Sequence, residues 1–227
     1  MTVILAFIAA IIAVAAWWLL REGVMTKPWL ETGAPAPAPM AAPPGRTGLG
    51  VFLVVAGALF ALFGSAFVMR MDLEFWSSFE MPGIVWTNTA LLLAAGVFLH
   101  LAARAAGRGE TGIMRRDMRV AGVATLGFLG GQLRAWHDLT AAGEGLAAGP
   151  AASFFYLLSG LHGLHILGGL AALGLIAAER AGPQDRAERL RLCATYWDFM
   201  LVVWLGLLIL FLGWANGLVD ICRSFLT

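Results

Sequence analysis

Long apolar runs are the feature that most constrains what this chain can fold into. Six of them, each close to the roughly 20 residues that a transmembrane helix needs, follow one another with polar segments between them. Only 13% of the 227 residues are charged and the mean hydropathy is +0.81, whereas a soluble domain carries about 25% charged residues. Because this leaves too little polar surface for a water-soluble globule, the sequence predicts an all-α, polytopic membrane helix bundle.

The runs predict about six transmembrane helices. The fourth is the least apolar, because Gln132 and Arg134 interrupt its outer end. An Ala- and Pro-rich segment at 33–46, typical of an extended and semi-rigid linker, follows the first helix. We therefore divide the chain into an N-terminal transmembrane helix with a cytoplasmic segment (1–32), this linker, and a main membrane domain (47–227). The predicted helices cover residues 3–20, 48–69, 84–103, 120–136, 154–178 and 192–214.

The distribution of Lys and Arg predicts the orientation of the chain. Of the 15 basic residues, 12 fall in segments 21–47, 104–119 and 178–191. Basic loops of membrane proteins face the cytoplasm, so these three segments are predicted to be cytoplasmic. Six helices then place both termini in the periplasm of a bacterial inner membrane. The net charge of +1 gives no indication of nucleic-acid binding.

Cysteine and histidine give little support for a metal or redox site. Cys193 and Cys222 lie at opposite ends of the last apolar run, so a disulfide between them is not expected. His162 and His165 are three residues apart on one helix face. They could act as heme or copper ligands or form interhelical hydrogen bonds. The spacing of the other two histidines favours hydrogen bonding, and we expect no redox cofactor in this chain.

Three blocks of the sequence resemble one membrane-protein family. Residues 82–96 read PGIVWTNTALLLAAG, residues 153–170 read SFFYLLSGLHGLHILGGL, and residues 196–205 read YWDFMLVVWL. Their order and spacing are similar to those of the signature helices of cytochrome c oxidase subunit III. The resemblance covers about residues 47–214 and points to a divergent bacterial branch of that family.

This resemblance implies a non-catalytic accessory subunit of a proton-pumping heme–copper terminal oxidase. Such a subunit packs beside the catalytic subunit I and the copper-bearing subunit II, which together hold the hemes and copper. Family members bind phospholipid in a V-shaped cleft and support proton uptake and assembly. The chain departs from familiar members at Asp198 and Leu201, where they carry His and Asp, and residues 54–58 lack the buried Glu that is often present there.

Asp198 is a candidate for proton handling or for interhelical bonding. It lies about six residues into the last predicted helix, and a charge inside the bilayer is costly unless it is paired or faces water. We consider a hydrogen bond to His162 or His165, proton handling near the cytoplasmic surface, and an interfacial side chain that reaches the headgroups as alternatives.

Two further groups of residues are candidates for lipid binding and for helix packing. Arg134, Trp136 and His137 cluster at the predicted periplasmic end of the fourth helix, where they would bind a lipid phosphate or serve as a simple interfacial anchor. Small residues allow membrane helices to approach closely. Those predicted to lie at helix contacts are Gly127, Gly131, Ser159, Gly160 and Gly163.

Two other functions stay open from sequence alone. Accessory subunits of nitric oxide reductases are similar over the same blocks. An independent small transporter is a different class, but the sequence shows neither inverted repeats nor Pro-interrupted helices. Whether the oxidase takes electrons from cytochrome c or from quinol also stays open. The N-terminal helix is predicted to dock on another subunit.

Overall fold

The computed structural model describes residues 44–71, 81–178 and 183–212. The prediction of an all-α bundle is confirmed for these residues. The predicted helix at 3–20, most of the linker and Cys222 lie outside them. Helices of 24 to 31 residues are about 36–46 Å long at 1.5 Å per residue. The five helices are α1 (Pro44–Met71), α2 (Ile84–Gly107), α3 (Thr111–Ala141), α4 (Pro150–Ala178) and α5 (Pro183–Phe211).

Four of the five helices are long and apolar enough to cross a bilayer. They contain the spans Gly45–Arg70, Ile84–Gly107, Pro150–Ala178 and Asp185–Phe211. The chain is therefore a multi-pass membrane protein, whereas the predicted number of six spans is not established by the described residues. Helix α3 is long enough but is less apolar than the other four. Charged residues occupy its first turns, and Gln132, Arg134 and Asp138 occupy its last turns.

Four helices begin earlier than the hydropathy pattern predicts. Helix α1 begins at Pro44 rather than at 48, and α4 at Pro150 rather than at 154. The difference is larger for α3, which begins at Thr111 rather than at 120, and for α5, which begins at Pro183 rather than at 192. Apolar runs mark only the part of a helix that contacts lipid, and in α3 and α5 arginine-rich turns continue the helix beyond it. Helix α2 begins at Ile84 as predicted, and the Pro82 carbonyl accepts a hydrogen bond from the Val85 amide at 3.2 Å.

Consecutive helices run antiparallel, and α4 and α5 each contact three other helices. Helix α3 packs mainly on α2, while α5 contacts α1, α2 and α4. We call the end that carries the α2–α3 turn and the start of α5 the basic end, because most described arginines lie there. The largest fully buried side chains include Leu92, Phe128, Trp197 and Trp204.

The outer surface of the bundle is apolar, and several polar side chains are buried. Large exposed hydrophobic residues occur on all five helices, among them Val54, Leu93, Val123, Leu164 and Val202. This distribution suits a lipid environment, since lipid solvates apolar side chains and interior polar groups must find partners within the protein. The buried polar residues are Asn88, Asp117, Thr125, Gln132, Ser159 and His162.

Candidate functional site

A series of interhelical hydrogen bonds runs through the bundle interior, and we call it the polar seam. Asn88 of α2 donates to Gln132 of α3 at 3.1 Å. The indole of Trp197 in α5 donates to Thr125 of α3 at 3.3 Å. Three of the five described helices are thereby joined by side-chain hydrogen bonds. The members of the polar seam are Asn88, Thr89, Thr125, Gln132, His162, Trp197 and Trp204.

The threonine hydroxyls of the seam serve both as donors and as acceptors. Thr125 donates to the Ala121 carbonyl one turn earlier at 2.8 Å and accepts the Trp197 indole. Thr89 donates in the same way to its own helix at 2.9 Å and accepts from Trp204 at 3.0 Å. Because a hydroxyl offers one donor and two acceptor sites, this arrangement supports both the helix and its neighbour.

Gly131 of α3 lies directly against the Asn88 side chain of α2 in the seam. A Cβ atom added at Gly131 would overlap the Asn88 amide oxygen and lie 2.9 Å from the Asn88 Cγ. The Asn88 side chain is fully buried, so it has little freedom to move away. Glycine at 131 therefore makes room for the amide that bonds Gln132, which gives a physical reason for a small residue there.

Gly169 likewise makes room for side chains of the neighbouring helix, here between α4 and α5. A Cβ there would lie 2.6 Å from the Tyr196 ring and 2.8 Å from the Trp197 ring. At the other small residues that the sequence singles out, the contacts are looser. The nearest side-chain atoms to an added Cβ would be those of Leu91 at 3.3 Å for Gly127, Trp136 at 3.4 Å for Gly160 and Leu129 at 3.8 Å for Gly163.

His162 is a buried interhelical donor. Its Nε2 lies 3.0 Å from the Met200 carbonyl of α5, and a carbonyl only accepts, so Nε2 carries the proton. Aromatic rings surround the imidazole, with centroids at 5.6 Å for Phe128, 5.3 Å for Trp204 and 6.3 Å for Phe60. The structure thus places His162 against a backbone carbonyl of a neighbouring helix rather than against a second histidine.

His165 has different neighbours from His162. Its Nδ1 lies 2.8 Å from the Leu161 carbonyl of its own helix, and its ring packs beside Phe52 and Phe60 of α1. The Tyr196 hydroxyl donates to the His165 carbonyl at 2.6 Å. The side chain of His162 therefore bonds α5, whereas the ring of His165 packs on α1 and only its backbone carbonyl bonds α5.

Asp198 pairs with His100 of α2, a residue that sequence analysis did not connect with it. The two carboxylate oxygens lie 2.9 and 3.1 Å from the His100 Nε2. The side chains are 45% exposed for His100 and 53% exposed for Asp198. The hypothesis of an Asp198 bond to His162 or His165 does not describe this geometry, because Asp198 points outward between α2 and α5 whereas His162 points inward.

The sequence feature that could have predicted this pair is that His100 and Asp198 lie at similar depths in the membrane. His100 lies four residues inside Arg104 and Asp198 seven residues inside Arg191, which is about 6 and 10 Å at 1.5 Å per residue. Both arginines stand at the basic end, so the two side chains lie at similar heights on antiparallel helices. Depth alone does not say which helices are neighbours, and a single sequence does not supply that information.

The lipid-binding candidates at the opposite end do not form one cluster. Arg134 binds Asp138 at 2.8 Å, and His137 projects outward, 3.6 Å from the same carboxylate. Trp136 instead turns toward α4, where its indole donates to Ser159 at 3.0 Å. Ser159 therefore does more than provide a small surface, since it accepts a bond across the helix contact.

Asp117 is a buried carboxylate that sequence analysis assigned to a polar loop. Its side chain is 2% exposed and lies 2.9 Å from the Arg116 guanidinium. No sequence pattern indicated this, because hydropathy placed the start of α3 nine residues too late. Within residues 44–71, 81–178 and 183–212, no group of three His, Cys, Asp or Glu side chains is placed to hold a metal ion.

The chain is similar in sequence to known oxidase subunits. A model of the family described as cytochrome c oxidase subunit III matches residues 45–216. The cytochrome c oxidase subunit 3 of Thermostichus vulcanus is 30% identical over 166 residues, covering 70% of this chain and 81% of that protein. The corresponding protein of a Synechocystis species is 27% identical, covering 72% of each chain.

A quinol oxidase subunit is also among the relatives. The cytochrome bo(3) ubiquinol oxidase subunit 3 of Pseudomonas aeruginosa is 28% identical over 130 residues, covering 56% of this chain and 62% of that protein. These matches bear out the resemblance seen in the three sequence blocks and favour an oxidase subunit over the nitric oxide reductase and transporter alternatives. The chain belongs to the cytochrome c oxidase subunit III family.

Proposed function

We propose that this chain is the non-catalytic accessory subunit of a proton-pumping heme–copper terminal oxidase in a bacterial inner membrane. It would pack beside the catalytic subunit I and the copper-bearing subunit II, and support their assembly, lipid binding and proton uptake. The polar seam carries this proposal. Asn88, His162 and Trp197, one from each family-like block, all bond neighbouring helices of the same chain, which is the use expected of a structural subunit.

The His100–Asp198 pair supports a contact with a partner subunit. Both side chains lie within apolar spans and about half of each is exposed. Their neighbours on the same face, such as Val97, Val202 and Leu205, are exposed and apolar. Ionisable groups in a membrane almost always face a protein interior or water rather than lipid. We infer that a transmembrane helix of the oxidase covers this α2–α5 face.

Mild-detergent affinity purification of the tagged chain tests both statements. We expect heme-bearing oxidase subunits to co-purify, detected by the absorption spectrum and by mass spectrometry, and the heme type then identifies the enzyme. A colourless chain obtained alone from oxidase-expressing cells would overturn the accessory-subunit proposal. Replacing His100 and Asp198 together by Leu should remove their hydrogen bonds to the partner helix, each worth ~0.6 to 1.7 kcal/mol. Co-purified heme per chain should then fall about tenfold, since ~1.4 kcal/mol corresponds to a factor of ten.

A second ion pair provides the matched control. Arg134 and Asp138 form an exposed pair of similar length, 2.8 Å, within α3. Replacing them by Gln and Asn removes an equal number of ionisable side chains away from the α2–α5 face, and co-purified heme should stay at the wild-type level. Wild-type heme in the His100–Asp198 double variant would show that this face does not bind the partner, even if the subunit assignment holds.

We also propose that α3 crosses the membrane, although its composition is more polar than that of the other helices. It follows α2 back across the bundle, its Gln132 bonds Asn88, and its outer surface carries exposed Val123 and Leu126. With the helix predicted at 3–20, the chain would then have six spans, a cytoplasmic basic end and periplasmic termini.

A cysteine placed at Arg108 should react with an impermeant reagent only from the cytoplasmic side, and one at Ala147 only from the periplasmic side.

The N-terminal segment is proposed to dock on another subunit of the complex. The matched family model begins at residue 45 and α1 begins at Pro44, so the predicted helix and linker precede the family-like domain. Removing residues 1–43 leaves α1 whole and should release the chain from the complex. Full recovery of an assembled and active oxidase without this segment would contradict the proposal.

A further inference from the structure

A groove between α3 and α4 at the basic end combines a cationic mouth with an apolar floor. Its volume is about 870 Å³, and its mouth carries Arg115, Arg119 and Arg186. Leu126, Leu170 and Leu173 line the part of the groove that lies farther from the basic end. We call it the α3–α4 arginine groove.

The groove exists because α3 and α4 diverge toward the basic end. At the opposite end the two helices touch, with Trp136 bonding Ser159 at 3.0 Å and lying 3.4 Å from a Cβ added at Gly160. Further along, Gly122 of α3 and Gly174 of α4 both line the groove, and a Cβ added at either would meet nothing within 4 Å. Helices joined at one end and separated at the other leave an elongated space between them.

Two arginines at the mouth of the groove, Arg115 and Arg119, supply the positive charge needed to bind an anion. The Nε–H of Arg119 donates to the backbone carbonyl of Arg115 at 3.2 Å, so the Arg119 side chain lies along the turn of α3 that begins at Arg115. The carboxylate of Asp117 is buried against Arg116, and Glu188 lies near Arg46 and Arg191. In the part of the chain that the structure describes, neither Arg115 nor Arg119 forms an ion pair with a carboxylate.

The larger groove of the bundle differs in this respect. It lies between α1, α4 and α5 and has a volume of about 1010 Å³. Its polar lining includes Arg46 and Arg189 together with Asp185 and Glu188. Charges of both signs do not select for an anion, so the two grooves are expected to differ in the headgroup they accept.

We propose that the α3–α4 arginine groove binds an anionic phospholipid, whose phosphate lies between Arg115 and Arg119 and whose acyl chain lies along Leu126, Leu170 and Leu173. Arginine forms strong, charge-assisted hydrogen bonds to phosphate, and a single acyl chain matches the apolar floor. A soluble phosphate would use only the mouth. The inference needs the chain to be in a membrane but does not depend on the oxidase partner.

Native mass spectrometry of the purified full chain tests this, with phosphatidylglycerol and phosphatidylcholine of equal acyl length as probes. We expect phosphatidylglycerol to bind the wild type roughly thirtyfold more tightly, which corresponds to about 1 kcal/mol from each of the two arginines. Replacing Arg115 and Arg119 by Gln should remove most of this preference. Equal binding of the two lipids by the wild type would overturn the proposal.

Two further variants keep the test independent of folding and of total charge. Replacing Arg104 and Arg191 by Gln removes two exposed arginines of the same end that do not line the groove, and the lipid preference should persist. An equal loss in this control would mean that only the overall charge matters, and would refute the site. Arg115→Lys with Arg119→Lys keeps the charge and should retain at least part of the preference; loss as complete as with Gln would argue against a phosphate contact.

Filling the apolar floor separates a lipid from a soluble anion. Gly174→Leu adds a side chain where the groove is open, so it should weaken phosphatidylglycerol binding while the arginines remain. Undiminished lipid binding in this variant, or displacement of the lipid by millimolar inorganic phosphate, would show that the site takes a free anion instead. Heme co-purification, measured in the same preparations, reports on the oxidase proposal separately.

Discussion

Gly131→Ala is the substitution for which the structure gives the sharpest expectation. The added Cβ would overlap the Asn88 amide and lie 2.9 Å from its Cγ, and Asn88 is fully buried. The amide must move, so the Asn88–Gln132 hydrogen bond of 3.1 Å lengthens or breaks. A clash in a well-packed core costs about 1–3 kcal/mol, and a lost interhelical bond in a membrane costs about 0.6 kcal/mol more on average.

The neighbouring Gly130 provides the control. A Cβ there would meet nothing within 4 Å, so Gly130→Ala should only gain helix propensity, about 1 kcal/mol at most. Both substitutions gain this helix propensity. The difference in the free energy of unfolding between the two variants is therefore the cost of the clash plus the cost of the lost hydrogen bond. We expect Gly131→Ala to be less stable than Gly130→Ala by roughly 2–4 kcal/mol.

Equilibrium unfolding of the purified full chain in bicelles, titrated with SDS, measures this difference. Asn88→Ala provides an internal check, because it removes the side chain that the new methyl group meets. Combining it with Gly131→Ala should give a double variant that is more stable than the sum of the two single effects, with a coupling of about 1–3 kcal/mol. Equal stability of the Gly130 and Gly131 variants, or additive effects in the double variant, would refute the reasoning.

Two more predictions concern the contacts of α5. Gly169→Ala would place a methyl group 2.8 Å from the Trp197 ring, whereas Gly168→Ala would meet nothing within 4 Å, so only the first should lower the free energy of unfolding, by about 1–3 kcal/mol, in the same SDS titration. A double-mutant cycle of Trp197→Phe and Thr125→Val should give a coupling of about 0.6 kcal/mol for their 3.3 Å bond; a coupling of zero would show that this bond does not stabilise the bundle.

Hydropathy predicted that the helices exist, but not where the polar ones begin. The apolar parts of α1, α2, α4 and α5 were visible in the sequence because lipid requires an uninterrupted apolar surface. The first turns of α3 and α5 were not, since arginine-rich turns outside the lipid resemble loops in composition. The burial of Asp117 was missed for the same reason.

Side-chain partners were harder to predict than helices. The sequence indicated that Gly131 and His162 lie at helix contacts, because small residues and intramembrane histidines usually do. It did not indicate Asn88 as the neighbour of Gly131 or Met200 as the acceptor for His162. Such pairs depend on the rotation and relative height of two helices, and a periodic pattern in one helix contains information about only one of them.

Polar residues have two roles in this bundle: some bond the helices to one another in the interior, and the His100–Asp198 pair faces outward. The polar side chains of the seam bond to other parts of the same chain and are mostly buried. Asp198 instead faces outward within a span, and its carboxylate lies 2.9 Å from His100 of the neighbouring helix. A change at this position leaves the interior bonds of the bundle in place but alters the surface that a neighbouring subunit would meet. On the proposal that a partner helix covers the α2–α5 face, we expect that helix to carry polar residues opposite this pair.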